Sequence, residues 1–178
     1  MVWAMSVPLA DQLAHYRSHP PSGLRELRVT AIESIAWEFD GHGEPVNSIF
    51  ELACPCGCKL FTPTCGLEIG EDGNKVGPPI GIECAACDAA TVVFDPSAHG
   101  WNAIMCGERH DAALVVGELE GEVVEAPHEI VVRYEHGSED LGNPDLAGRE
   151  QEVFTWFTLL ARDPQTKELE QLFEWECA

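Results

Sequence analysis

The chain has 178 residues, 45% of them hydrophobic, enough to bury a sizeable core, and one domain over residues 1–178 is the expectation. Ten Lys and Arg stand against 31 Asp and Glu, a formal net charge of −21 that repels a phosphate backbone and disfavours nucleic-acid binding. No run approaches about eighteen consecutive apolar residues, and Met1-Val2-Trp3-Ala4-Met5 lacks the basic and apolar regions of a secretory signal, so no membrane segment is read and a cytoplasmic location is expected.

Residues 7–18 predict a short packing helix. Leu9, Leu13 and Tyr16 fall three and four apart, Ser6 is the candidate N-cap with Pro8 in the first turn, and Pro20-Pro21 ends it. His15 and His19 lie four apart, but no acid or cysteine stands beside them to complete a metal site. From Leu24 the period changes to two: Val29, Ala31, Ile35, Trp37 and Phe39 share a parity, which predicts one long strand over residues 24–40, turned by Asp40-Gly41-His42-Gly43. A second strand, residues 48–53, runs straight into Cys54-Pro55-Cys56-Gly57-Cys58. Its expected hairpin partner is the segment after Lys59.

That cysteine cluster and Cys84-Ala85-Ala86-Cys87 bracket the middle of the chain. Two tight thiol pairs at the ends of a long excursion suit a tetrahedral Zn²⁺ that takes two sulfurs from each of two backbone turns, with glycine or proline letting the amides face the sulfurs. With no secretory signal, metal is the better reading than disulfides. The second pair is Cys84 and Cys87. In the first cluster Cys54 with Cys56, Cys56 with Cys58, or Cys54 with Cys58 each have workable spacing, and Cys65 is a further alternate; Cys54 with Cys56 is preferred. Cys65, Cys106 and Cys177 also read as small buried apolar residues.

Between the clusters residues 59–69 predict a strand, Glu71-Asp72-Gly73-Asn74 a turn, and residues 76–83 a return through Gly77-Pro78-Pro79, whose prolines suit an edge or an irregular start. Residues 89–94 are the next strand. The run Leu52-Ala53-Cys54-Pro55-Cys56-Gly57-Cys58-Lys59-Leu60-Phe61, followed by Glu83-Cys84-Ala85-Ala86-Cys87-Asp88, resembles the zinc ribbon class of small β modules over about residues 52–94. The resemblance implies Cys54, Cys56, Cys84 and Cys87 as ligands of one structural Zn²⁺, Gly57 as the turn glycine and Phe61 packed beside the site. It implies no single biological role.

Beyond the second cluster, Cys106 with His110 is the one arrangement that suits a thiol nucleophile and its base, although no catalytic signature surrounds it. His99 and Trp101 are expected to pack near the ribbon. Residues 113–118, 129–136, 153–162 and 168–177 are strand-like. The last two form a hairpin through Asp163-Pro164-Gln165-Thr166, and residues 137–151 form a loop between strands. In the final strand Leu169, Gln171, Phe173, Trp175 and Cys177 share one face; Glu168, Glu170, Glu174 and Glu176 share the other, with Leu172 interrupting that ladder. From Glu108 onward eighteen acids face five bases.

The expected fold is mainly β (α+β through the N-terminal helix). A zinc-ribbon-like subdomain, residues 48–95, would be inserted in or packed on an antiparallel core formed by residues 24–40 and 113–178. The expected function is a non-enzymatic, strongly acidic structural-zinc protein that binds a partner with a basic surface, as an inhibitor or immunity-type protein would. The alternatives are a thiol- or metal-dependent enzyme using Cys106 and His110, and a zinc or redox sensor in which Cys58 and Cys65 exchange with the ligands.

Overall fold

The structure, a computed structural model, describes residues 7–35, 46–70, 73–107, 116–118 and 127–177. Helix α1 spans Leu9–Ser18 with Pro8 at its N-cap position and no side chain capping it. The predicted cap, Ser6, lies outside the described residues. The helix buries Gln12 and Tyr16, while Leu9 is 43% exposed. Its inward face is therefore turned from the predicted one. Two contacts hold that face: Gln12 Nε2 donates to the Val7 carbonyl at 2.7 Å, and the Tyr16 ring stacks on His136 with centroids 3.7 Å apart.

Among the described residues nine strands make one antiparallel sheet: β1 Arg28–Ile32, β2 Val46–Ala53, β3 Leu60–Gly70, β4 Gly73–Cys84, β5 Ala90–Phe94, β6 Val116–Glu118, β7 His128–His136, β8 Trp156–Arg162 and β9 Leu169–Glu176. The fold is mainly β with one short N-terminal helix, as expected. The long first strand is not found. Ser22–Leu24 turns as a 3-10 helix that buries Leu24, the ladder ends at Ile32, and Ala31 is exposed. Trp37 and Phe39 lie outside the described residues.

Strand β7 is the hub. On one edge it pairs with β8 throughout, from Glu129↔Arg162 to Glu135↔Trp156. On the other it pairs first with β3 (Phe61↔His128, Leu60↔Glu129) and then with β2 (Glu51↔Val131 to Val46↔His136). The expected β2–β3 hairpin is thus overturned. Both strands run antiparallel to β7, so β3 continues the line of β2 along one edge, and the first cysteine cluster is a detour looped out where β7 changes partner. Sequence alone carries no sign of this, because β7 lies some 70 residues further along the chain.

From β3 the sheet extends through β4 to β5, with β6 added on β3. Cys65↔Ile80 is followed by Gly66↔Gly77, so Pro78 and Pro79 are looped out of the β3–β4 ladder. This is how an internal strand accommodates two residues that lack an N–H donor. The hairpin of β8 and β9 forms as predicted, and Asp163 Oδ1 accepts from the Gln165 and Thr166 amides at 2.7 Å each. The register shifts between Leu159↔Phe173 and Leu160↔Gln171, which makes Leu172 the extra residue of a bulge. That explains why Leu172 breaks the alternation and leans on the core.

The sheet curls until its two arms meet. Phe94 of β5 stacks on Phe157 of β8 with centroids 4.5 Å apart and planes 10° apart, and Tyr134 and Phe154 close the cluster. One face of every long strand feeds this core: Phe50 and Leu52, Ile130 and Val132, Leu159, Phe61, Ile80 and Ile82. The opposite face carries a smaller apolar group of Ile49, Val131 and Leu160. At its border Arg162 bonds the Glu51 carboxylate and lies 3.7 Å from Glu129, which also receives Lys167 at 2.8 Å. Among the described residues no helix is long and apolar enough to cross a membrane.

Candidate metal centre

Two backbone turns bring the cysteines together. In the first, the Cys54 amide donates to the Cys58 carbonyl and the Gly57 amide to the Cys54 carbonyl, both at 2.8 Å, and Gly57 takes φ +96°. Only glycine enters that region without steric penalty. In the second, the Asp88 amide donates to the Cys84 carbonyl at 2.9 Å and the Cys84 amide to the Ala89 carbonyl at 3.0 Å, with Asp88 in the left-handed region at φ +57°. The Ala85 amide reaches back to the Leu60 carbonyl at 3.0 Å, which ties the second turn to the strand leaving the first. Strand pairing completes the alignment, since Phe61↔Cys84 is a register pair.

The result is a group of four sulfurs, from Cys54, Cys56, Cys84 and Cys87, all within 4.8 Å of one another. Cys54 and Cys87 are 3.6 Å apart, as are Cys56 and Cys84. A disulfide needs about 2.05 Å. A tetrahedral ion with Zn–S bonds of about 2.3 Å places its sulfurs about 3.8 Å apart, so the spacing fits a central metal ion.

The electrostatics point the same way. The Ala86 amide, aided by that of Cys87, holds the Cys84 thiol down to about 6. The Cys56 amide lowers Cys54, but burial and the neighbouring sulfurs push that thiol up to about 12. At Cys87 the Ala89 amide lowers the thiol while the sulfurs of Cys84 and Cys56 leave it raised. The Cys84 sulfur is prepared as a thiolate while those of Cys54 and Cys87 resist ionising beside it, a balance that a cation at the centre reverses.

Of the alternates, Cys58 stands outside the group: its sulfur accepts from the Leu60 amide at 3.4 Å. Cys65 is buried in the core opposite Ile80, where burial raises its thiol. Cys177 is buried as expected, but Cys106 is exposed at the end of a single helical turn, Asn102–Cys106, contrary to the buried reading. Its suggested base, His110, lies outside the described residues. His99 receives the Asp95 amide on Nδ1 at 3.0 Å, which satisfies one nitrogen from the backbone.

No family model, curated protein or solved structure matches this chain. The four cysteines can hold a metal ion, an arrangement compatible with a zinc-binding module.

Sequence reasoning missed a second polar constellation. His136 Nδ1 lies 3.2 Å from the Val153 carbonyl, which can only accept, so that nitrogen carries the proton; Nε2 then accepts from the Ser48 hydroxyl at 3.0 Å. Burial holds the imidazole neutral, down to about 3. With Ser48 at 0% and His136 at 2% exposure, the pair has no access to a substrate and serves as a satisfied buried network. Its only trace in the sequence is a polar residue in line with the inward Phe50 and Leu52 on β2 and with Ile130 and Val132 on β7.

Proposed function

We propose that Cys54, Cys56, Cys84 and Cys87 hold one structural zinc ion, and that the module so fixed belongs to a non-enzymatic protein that docks on a basic partner, in the manner of an inhibitor or immunity-type protein. The single observation behind this reading is the four-sulfur group at tetrahedral spacing. Zinc prefers four thiolates in a closed site, and such a site leaves no coordination position for a substrate. Its role is then to fix the two turns and the strands they join.

The partner class follows from charge. The net charge is −21, and Glu174 and Glu176 are exposed on one side of β9, with Glu170 exposed beyond the bulge, on a strand that among the described residues pairs only with β8. Unneutralised carboxylates two apart on one strand repel, and a cationic surface relieves that repulsion. Titration against basic proteins at low and high salt tests this: binding weakens as salt rises, whereas binding indifferent to salt contradicts it.

A further inference from the structure

Burial divides the four sulfurs in a way the structural role does not require. Cys54 and Cys84 are buried, whereas Cys56 and Cys87 are exposed at the tips of their turns. The two 3.6 Å contacts both cross between the turns, and each joins one exposed sulfur to one buried sulfur. An oxidant in solution therefore meets Cys56 or Cys87 first, with a second sulfur already behind it. The exposed Cys106 belongs to no such group among the described residues.

We propose that this group is a site of oxidative modification by hydroperoxides, in which Cys56 and Cys87 are attacked and Cys84 and Cys54 resolve them. This rests on the metal reading above for its ion-release step and on the sulfur geometry for the rest. The Cys56 thiolate attacks the peroxide O–O bond, giving the sulfenic acid and one hydroxide. The Cys84 thiolate then attacks the Cys56 sulfur, forms the S–S bond and expels the second hydroxide. Two electrons leave the sulfurs as one disulfide forms, and one hydrogen peroxide takes them up to become two hydroxides. The sulfurs close from 3.6 Å to a disulfide length of about 2.05 Å. Only Cys54 and Cys87 remain as ligands, too few to retain the ion, and a second peroxide joins them in the same way. The two turns stay tied to each other, by disulfides in place of the metal. Cys58 and Cys65 take no part, which separates this proposal from the sensor alternative in which they exchange with the ligands.

Trypsin reads the linkage directly, because residues 29–59 carry Cys54 and Cys56 while residues 76–109 carry Cys84 and Cys87. The zinc-loaded protein carrying Cys58→Ser and Cys106→Ser is treated with hydrogen peroxide; released zinc is followed with a chromogenic chelator and peptides by mass. Complete zinc loss, with the two peptides joined, is the expected result. Peptides that remain separate, whether each lighter by two hydrogens or carrying sulfinic acid, overturn the proposal, as does zinc retained through the treatment. Zinc content before peroxide reports on the metal reading alone. Protein isolated without zinc that still joins its peptides sinks that reading and leaves the crossed pairing standing, and zinc-loaded protein with unjoined peptides does the reverse.

Discussion

The cysteine turns and the aromatic core differ in what holds them. At the cysteine turns Pro55, Cys56, Gly57, Ala85, Ala86 and Cys87 are all exposed, and the chain there is positioned by local amide bonds and the sulfur group. Deeper in the curled sheet Phe94, Phe154, Phe157 and Tyr134 are buried and packed ring to ring. Apolar area stabilises the second region without help. The turns bury almost none, so their entropy of ordering must be offset by a cross-link, and thiolates around an ion provide one.

The largest expected effect lies in the aromatic core. Phe157→Ala removes a fully buried ring stacked on Phe94 and leaves a cavity at the joint between the sheet's two arms. The cost is about 3–5 kcal/mol, read by denaturant unfolding, with the whole sheet affected. A cost confined to β5 would mean that the arms are held together elsewhere.

Next comes acid stability. His136 titrates near 6.5 when unfolded and near 3 when folded, because burial penalises its charged form. Between those values the unfolded chain binds a proton that the folded chain refuses, so this group's stabilising contribution is present above 6.5 and is lost as pH falls towards 3. His136→Gln flattens the acid limb of the stability curve by about 2 kcal/mol near pH 5. An unchanged slope would place the acid sensitivity in the sulfur group instead.

The smallest effect sharpens the other side of the comparison. An added Cβ at Gly57 meets nothing within 4 Å, so Gly57→Ala charges only the backbone for φ +96°. The expected loss is about 1–2 kcal/mol, read as roughly tenfold weaker metal retention with the core unaffected. An unchanged affinity would show that the turn does not depend on this conformation.

What sequence revealed follows the same division. Local spacing carried the helix, the β8–β9 hairpin with its Asp163 turn, and the pairing of two cysteine turns, because each is written in a few adjacent residues. Partner choice was illegible. Nothing near Cys54 says that β2 and β3 share one edge of β7, and nothing in Leu172 alone marks it as a bulge residue rather than a break in an acidic face. Ser48 and His136 are 88 positions apart, so their bond emerges only from the β2–β7 register. Among the sulfurs, the Gly57 signal was visible, while Asp88 in the left-handed position after the second pair carried no such mark.

Native mass spectrometry of the purified chain and of its Cys84→Ser and Cys65→Ser variants tests the central claim most directly. One zinc ion per wild-type chain, lost in Cys84→Ser and kept in Cys65→Ser, is the predicted result. A wild-type chain free of metal, or one that keeps its zinc after Cys84→Ser, would contradict it.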